Sequence, residues 1–368
     1  MELSASAKPH LEGIKNYQPG KPIEEVEREY GVKNALKMAS NENALGPSPK
    51  AVEAIRKSLS RIHRYPDGGC FYLRKKLSAF LGVKPEMLVF GNGSDEVLVL
   101  AARAFAGPGD EVIIANPTFL IYEIAAQAQA ARVVKVPMKN FRYDLPAMAK
   151  KITPKTKLIF VANPDNPIGT YVSQKEVTAF LSKVPAGIPV VLDEAYFEFA
   201  GENKDYPDWL KLLSQFKNLI VARTFSKAYG LSGLRIGYGV ADPGIVNALN
   251  KVREPFNVNS LAQTAALAAL DDKAHLRRTL QTVSAGKKYL YKEAKRLGLF
   301  YIQSATNFVL IDLEKNAAEA AEALIRKGVI IRAMTAWGLN TFIRVTVGRK
   351  EENQKFVKAL NEIMRSLR

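Results

Sequence analysis

The segment Asn218–Gly239 reads NLIVARTFSKAYGLSGLRIGYG and places one lysine, Lys227, shortly after an apolar run. The run Asn218–Thr224 is typical of a buried strand, and the small residues that follow leave room beside the amine. An amine in a crowded, partly dry pocket has a lowered pKa and can act as a nucleophile in Schiff-base chemistry. A lysine in a loop can also extend its amine to solvent, so this segment alone leaves both interpretations open.

Apolar, β-branched runs alternate with helical periodicities around this segment. The alternation predicts an α/β fold with a mainly parallel, seven-stranded sheet that is covered by helices on both faces. The predicted strands are Met87–Phe90, Glu111–Ala115, Arg132–Val136, Leu158–Val161, Val190–Leu192, Leu219–Ala222 and Gly237–Val240. The predicted helices between them are Gly68–Leu81, Asp95–Phe105, Phe119–Ala130, Gln174–Val184 and Trp209–Phe216.

The sequence pattern changes beyond Pro255, where two helical stretches precede several short apolar runs. This change predicts a smaller α+β domain over residues 256–368. We expect residues 45–255 to form the large domain and residues 1–44 to complete the small one.

The composition indicates a globular protein without a metal site. The 368 residues carry a formal net charge of +17 and include three histidines and one cysteine, which lie too far apart for metal-ligand spacing. The lysines and arginines are scattered, and no DNA- or RNA-binding motif is visible, so we expect solvated helix faces and no nucleic-acid partner. No apolar run approaches about 18 residues, and the N-terminus lacks an apolar signal segment. These features predict a cytoplasmic protein without membrane spans.

Polar and glycine-rich sequences follow several predicted strands, at the edge where open α/β sheets bind ligands. GNGSDE (91–96) permits a tight turn, and the N–H groups at the start of the next helix would suit a phosphate. An ordinary helix cap by Ser94 or Asp95 explains the same residues. ANPDNPIGT (162–170) brings Asn166 to this edge, although such residues also form plain turns.

Asp193 ends another strongly apolar strand, at the start of DEAYFEF. An unpaired carboxylate there is costly to desolvate, so it needs a partner, either a protonated pyridine nitrogen or a structural arginine. Ser226 and Arg235, on either side of Lys227 in the sequence, are suited to hold a phosphate. Together these strand ends supply every part that pyridoxal phosphate needs.

Several sequence blocks, spread over nearly the whole chain, resemble fold-type I pyridoxal-phosphate aminotransferases. They are NYQPGKPIEEVEREYG, KMASNENALGPSP, HRYPDGGCFYLRKKLSAFLGV, GNGSDE, NPTFLIY, NPDNPIGTY, VVLDEAYFEF, RTFSKAYGLSGLRIGY, ATNFVLID and FIRVTVG. The lysine and DEAY blocks are specific to this superfamily, whereas NENALGPSP and RYPDGG are more specific to its histidinol-phosphate branch. The resemblance implies that residues 45–255 bind pyridoxal 5'-phosphate.

The resemblance also implies cofactor-binding roles. Lys227 would form the Schiff base and move protons, and Asp193 would pair with the ring nitrogen. Tyr196 and Asn166 would hydrogen-bond the phenolic oxygen, and Phe119 would stack on the ring. The phosphate would be held by the Ser94 and Asp95 backbone, by Ser226 and Arg235, and by Tyr65 from the second subunit of a homodimer.

Four further residues are candidates for binding the substrate. Arg344, in FIRVTVG, would bind a substrate anion, although an arginine in an apolar strand can also be a structural ion-pair partner. Arg332 and Tyr17 match positions associated with the substrate phosphate or carboxylate. Asn43 either contacts the substrate or caps a turn.

The expected reaction transfers the amino group of L-histidinol phosphate to 2-oxoglutarate and gives imidazole-acetol phosphate and L-glutamate. Three alternatives stay open: an aromatic-amino-acid aminotransferase, a phosphothreonine decarboxylase, and a transcription regulator built on an inactive aminotransferase domain. The intact lysine favours an enzyme, and too few residues precede the first blocks for a DNA-binding module.

Overall fold

The computed structural model describes residues 7–201 and 203–366. Residues 1–6 of the predicted segment 1–44 and residues 367–368 of the predicted segment 256–368 therefore lie outside the described residues. The α-helices are α1 Ile23–Tyr30, α2 Pro49–Ser58, α3 Phe71–Leu81, α4 Ser94–Phe105, α5 Leu120–Ala128, α6 Leu145–Lys150, α7 Gln174–Leu181, α8 Phe197–Ala200, α9 Trp209–Gln215, α10 Pro243–Lys251, α11 Ser260–Ala269, α12 Lys273–Arg296, α13 Ala317–Arg326 and α14 Lys350–Ser366. The strands are β1 Leu36–Lys37, β2 Leu88–Gly91, β3 Glu111–Asn116, β4 Arg132–Pro137, β5 Thr156–Ala162, β6 Val190–Asp193, β7 Leu219–Thr224, β8 Gly237–Ala241, β9 Tyr301–Ile302, β10 Phe308–Asp312, β11 Val329–Ile330, β12 Arg332–Ala333 and β13 Phe342–Thr346.

Seven strands form one mainly parallel sheet, which confirms the predicted fold class. Their order is β2-β8-β7-β6-β5-β3-β4. The pairs among β3 to β7 are parallel, whereas β8 runs antiparallel to both of its neighbours. The predicted strands agree closely with the observed ones, because most are short apolar runs that the sheet buries.

The helix that begins at the carboxyl end of β2 differs from most others in how it begins. α7, for example, starts with a capping box formed by Ser173 and Glu176. α4 instead follows Gly93, and no side chain of the described residues caps it. Its first backbone N–H groups therefore keep their capacity to bind a ligand. None of the helices within the described ranges combines the length and apolar character needed to cross a membrane.

The N-terminal segment packs with the C-terminal part of the chain. β1 pairs in parallel with β11, and Val26 and Ala35 are buried together with Ile325 and Ile330. A second, antiparallel sheet has the order β12-β13-β10-β9. Its apolar side is covered by α12 to α14, in a cluster that also includes Met38. This arrangement forms the small α+β unit.

The core of the large unit continues past the predicted boundary at residue 255. Ala262, Ala265 and Ala266 of α11 are buried in the same cluster as the large sheet. Alanine side chains let α11 lie close to α2, so it packs as a large-unit helix although the sequence pattern changes before it. In the part of the chain that follows α11, the first residue buried in the small-unit core is Val283, so the boundary between the two cores lies within α12.

Candidate active site

A cavity of about 280 Å³ lies at the carboxyl ends of the parallel strands, between the large sheet and residues of β12 and β13. Most of the predicted site residues line it, although they come from distant parts of the sequence. They are Tyr17, Ser94, Asp95, Phe119, Asn166, Asp193, Tyr196, Ser226, Lys227, Arg235, Arg332 and Arg344.

Lys227 lies in the cavity wall just after β7, with its Nζ 5.8 Å from the centroid of the Tyr196 ring. The pKa of Lys227 is lowered to about 8, mainly by burial; the charges of Arg344 and Arg235 act in the same direction, and those of Asp95 and Glu42 oppose them. The Lys227 side chain is half-buried in the cavity wall. Its amine therefore faces the cavity rather than bulk solvent.

Asp193 is a buried carboxylate at the end of β6. Its Oδ2 accepts a hydrogen bond from Tyr122 OH at 2.7 Å, and its Oδ1 accepts one from Ala195 N at 3.1 Å. Burial raises the pKa of Asp193 to about 6, although the Tyr122 hydroxyl opposes the rise. No arginine or lysine of the described residues pairs with it, so the structural arginine considered above is not present there.

Arg344 is also buried, and among the described residues its hydrogen-bond partners are neutral. Its Nη1 donates to Asn166 Oδ1, and its Nη2 donates to Ala39 O at 3.1 Å. Its Nε has no partner within the described residues. A buried guanidinium with neutral partners retains its capacity to bind an anion.

Tyr196 occupies the floor of the cavity near Lys227. Its hydroxyl accepts a hydrogen bond from Asn41 Nδ2 at 2.8 Å, and burial raises the pKa of the phenol. Asn41 itself has a left-handed backbone, with φ 56°, and its N–H donates to Thr346 Oγ1 at 2.9 Å. Asn41 thus holds the hydroxyl of Tyr196 in place at the cavity.

The start of α4 faces Arg235 and Ser226 at one end of the cavity. Arg235 Nη1 lies 3.4 Å from Ser226 Oγ, and Arg235 Nη2 lies 3.4 Å from Asp95 Oδ2. A side chain at Gly93 would collide with the Arg235 guanidinium, so glycine is required for this approach. Backbone N–H groups, a hydroxyl and a guanidinium therefore meet at one place.

Aromatic residues form another wall. Phe119 contacts Tyr122 edge-on, with ring centroids 5.7 Å apart. Trp337 lines the cavity from the small unit and donates from Nε1 to Thr118 O at 2.8 Å. The guanidinium of Arg332 lies 5.5 Å from the centroid of the Trp337 ring.

Two predicted site residues do not line the cavity. Tyr65 is 84% exposed and stacks on Phe256, with ring centroids 5.0 Å apart. Asn43 donates from Nδ2 to Ala228 O and to Thr279 Oγ1, both at 3.0 Å, and accepts from Leu45 N. The Asn43 side chain is thus used within the chain, in the turn-forming arrangement considered from the sequence.

Among the cavity residues that were absent from the sequence prediction, Asn41, Tyr122 and Trp337 make the side-chain hydrogen bonds described above. Asn41 shares the block KMASNENALGPSP with Asn43, and Tyr122 ends the block NPTFLIY. Both residues therefore lie within blocks that carry the family resemblance. Trp337 had no such signal, because its position in the wall depends on how the small unit packs.

Comparison with known proteins identifies the family. The family described as aminotransferase class I and II matches residues 33–360. A histidinol-phosphate aminotransferase of Moorella thermoacetica is 52% identical over 352 residues, which cover 95% of this chain and 91% of that protein. The chain belongs to the histidinol-phosphate aminotransferases of this family. The resemblance seen in the sequence is confirmed.

Two further relatives agree with this family membership. Histidinol-phosphate aminotransferase 2 of Carboxydothermus hydrogenoformans is 47% identical, with 97% of this chain and 99% of that protein covered. The crystal structure of histidinol-phosphate aminotransferase from Sinorhizobium meliloti, in complex with pyridoxal-5'-phosphate, has a TM-score of 0.91 and 32% identity, with 98% of both chains covered. The family fold thus extends over nearly the whole chain.

Proposed function

We propose that the cavity binds pyridoxal 5'-phosphate with Asp193 against the ring nitrogen. One observation carries the proposal: a buried carboxylate without a cation faces the same cavity as an enclosed lysine. A protonated ring nitrogen would supply the missing positive charge, and the carboxylate would keep that nitrogen protonated. The residues present therefore fit the cofactor that the family implies.

The cofactor phosphate would lie at the start of α4. The helix N-terminus carries a partial positive charge, and the backbone of Ser94 and Asp95 offers N–H donors. Arg235 holds Ser226 and Asp95 only at 3.4 Å, so a phosphate could take stronger, charge-assisted hydrogen bonds from the guanidinium. The cofactor-binding domain would comprise residues 45–255 together with α11.

When bound, pyridoxal phosphate supplies an aldehyde that condenses with amines and a ring that withdraws electrons from the α-carbon. Lys227 would hold the aldehyde and, once freed by the incoming amine, move a proton at that carbon, for which its lowered pKa of about 8 is suitable. Tyr196 and Asn166 would fix the phenolic oxygen, and Phe119 would pack on the ring.

We propose L-histidinol phosphate as the amino donor and 2-oxoglutarate as the acceptor, with imidazole-acetol phosphate and L-glutamate as products. The names of the relatives support this choice. Both substrates are anions, and the planar fork of Arg344 suits either a phosphate or a carboxylate. Arg332 and Tyr17 line the same cavity and would contribute to binding the second anionic group.

A homodimer would complete the site with Tyr65 of the partner subunit. Tyr65 and Tyr72, which are 84% and 73% exposed, line one surface groove, and Ile62 nearby in the sequence is 62% exposed. Apolar faces of this kind are typical of protein interfaces, so a second copy is the expected partner. The proposal further includes a cytoplasmic location and no nucleic-acid partner.

The first half-reaction tests the proposed substrate directly. The holoenzyme is mixed separately with histidinol phosphate, tyrosine, phenylalanine and phosphothreonine, and the absorbance change of the bound cofactor is followed. We expect histidinol phosphate to react with the highest second-order rate constant. Preference for tyrosine or phenylalanine would identify an aromatic-amino-acid aminotransferase, and release of carbon dioxide from phosphothreonine would identify a decarboxylase.

The same measurement also tests the fourth candidate, a transcription regulator built on an inactive aminotransferase domain. A protein that binds the cofactor but shows no absorbance change with any of the four donors would contradict all three candidate enzyme activities. In that case DNA binding would be the next property to measure.

A further inference from the structure

A buried ion pair, Glu194 with Arg223, lies behind the cavity without lining it. Arg223 donates to Glu194 Oε2 from Nε at 3.0 Å and from Nη2 at 2.7 Å. The Arg223 guanidinium also lies 3.3 Å from the ring centroid of Phe197 and 4.7 Å from that of Trp209. With side chains only 0% and 5% exposed, the pair cannot reach a ligand in the cavity and can act only through other residues.

Tyr206 forms a polar cluster with Glu194 and Arg223 and connects them to a third strand. Its buried hydroxyl donates to the carbonyl of Asn163 and lies 3.4 Å from Glu194 Oε1. Asn163 follows β5, Glu194 follows β6, and Arg223 lies within β7 one residue before its end. Polar contacts behind the cavity therefore connect the carboxyl ends of three neighbouring strands.

Each connected strand end carries part of the proposed site. Asp193 directly precedes the glutamate of the pair. Thr224 directly follows the arginine, and its hydroxyl accepts a hydrogen bond from Ser226 N at 3.0 Å, one residue before Lys227. Asn166 lies in the loop that begins with Asn163, and the carbonyl of Asn163 accepts the hydrogen bond from Tyr206 OH. A shift in the cluster would thus move several cofactor contacts relative to one another.

We propose that Glu194, Arg223 and Tyr206 are positioning residues, which fix the spacing of the Asp193, Lys227 and Asn166 side chains. A buried ion pair contributes little net stability, because the cost of desolvation offsets the attraction between the charges. Packed apolar side chains would serve the core equally well, so the directional contacts of the pair are better explained by the geometry they impose. The inference rests on the function proposed above, since the spacing matters for cofactor contacts.

Isosteric variants with matched controls test this role in the holoenzyme. Glu194→Gln removes the charge and Tyr206→Phe removes the hydroxyl, while both keep the side-chain volume. Glu111→Gln is the control for the first, because the Glu111 side chain is also buried and bonded to an arginine, the exposed Arg132, but lies at the start of β3. Tyr291→Phe is the control for the second, because Tyr291 OH accepts from Ser304 N at 2.8 Å in the small unit.

Three quantities are measured for each variant: the pH midpoint of the absorbance change of the bound cofactor, the affinity of the apoprotein for pyridoxal phosphate, and kcat with KM. We expect both positioning variants to shift the pH midpoint and weaken cofactor affinity. We also expect kcat to fall about ten- to a hundredfold with little change in KM, since displacements of about 1 Å have effects of this size. The controls should lose thermal stability without changing any of the three.

The positioning role is wrong if Glu194→Gln and Tyr206→Phe lose only thermal stability, like their controls, and keep the wild-type pH midpoint and cofactor affinity. Tyr206→Phe preserves the ring packing, so it still decides the question if Glu194→Gln does not fold. A wild-type protein that binds no pyridoxal phosphate would instead contradict the proposed function itself.

Discussion

Arg223 and Arg344 are both buried arginines of β-strands, yet their surroundings are opposite. Arg223 pairs with Glu194 and lies against two aromatic rings. Arg344 bonds only Asn166 and the Ala39 carbonyl, and its Nε has no partner among the described residues. Burial alone therefore does not distinguish a structural arginine from a ligand-binding one. The distinction lies in whether the protein itself neutralises the charge.

The adjacent carboxylates Asp193 and Glu194 repeat this difference. Glu194 is fully buried and ion-paired, whereas Asp193 is buried with only a hydroxyl and an N–H as partners. Of these four residues, the ion-paired Arg223 and Glu194 lie behind the cavity, whereas Arg344 and Asp193, which have no ionic partner among the described residues, line it. Variants at the cavity should therefore change ligand binding directly, whereas variants behind it should act through stability and through the spacing of the site.

The largest effect is expected for Lys227→Ala. Transamination should fall by at least about 10²- to 10⁴-fold, because the group that moves the proton is lost. The matched control is Lys287→Ala, since burial also lowers the pKa of Lys287 to about 8 but its Nζ donates to Ser304 O at 2.7 Å, outside the cavity. Steady-state rates of both variants check the prediction, and equal losses would refute the role of Lys227.

Arg223→Met should lower stability in addition to disturbing the spacing of the site. It leaves the Glu194 carboxylate buried without its partner, which typically costs about 3 to 5 kcal/mol. Urea unfolding of the apoprotein measures this loss. The double variant with Glu194→Gln should recover part of the lost free energy of unfolding. No recovery would show that Arg223 stabilises the fold through its contacts with the Phe197 and Trp209 rings rather than through its charge.

Arg344→Lys should change substrate use more than stability. A lysine keeps the charge but loses the bidentate fork, and a lost charge-assisted hydrogen bond weakens binding by about 1.5 to 3 kcal/mol. The ratio kcat/KM for histidinol phosphate should fall accordingly, while the unfolding midpoint stays nearly constant. A large loss of stability with unchanged kcat/KM would assign Arg344 to the core.

Asp193→Asn should raise the stability of the apoprotein modestly, in a way that depends on pH. Because burial raises the pKa of Asp193 to about 6 from 3.8, the folded apoprotein binds this proton more tightly than the unfolded chain. The wild type therefore loses stability as the pH rises between those values. The variant lacks this loss, so without cofactor it should be more stable above pH 6, by roughly 1 to 3 kcal/mol.

Urea unfolding at several pH values gives the difference between the two proteins and cancels the contribution of other groups. The variant should nonetheless bind pyridoxal phosphate more weakly. A wild type that is the more stable protein above pH 6 would show that Asp193 already has a stabilising partner.

The sequence was informative where chemistry follows directly from a strand end. Lys227, Asp193 and Arg235 lie at such ends, so the alternation of strands and helices was enough to bring them to one edge. The sequence was less informative where two nearby residues of the same type could each line the cavity. Asn41 enters the cavity and Asn43 does not, because a left-handed backbone at Asn41 turns the chain there.

Contacts between units were also hidden from the sequence. Trp337 reaches the cavity through a hydrogen bond to the Thr118 carbonyl, which only the packing of the two units creates. The Glu194–Arg223 pair joins residues 29 positions apart, and neither charge can be assigned a partner from its neighbours in sequence. The membership of α11 in the large core likewise depends on its contact with α2.

The most direct measurement is borohydride reduction of the protein loaded with pyridoxal phosphate, followed by mass spectrometry of its peptides. Because Lys227 lines the cavity and Lys287 does not, we expect the cofactor to be fixed on Lys227 and the Lys287 peptide to stay unmodified. Fixation on Lys287 or on any other lysine, with Lys227 free, would contradict the assignment of the cavity.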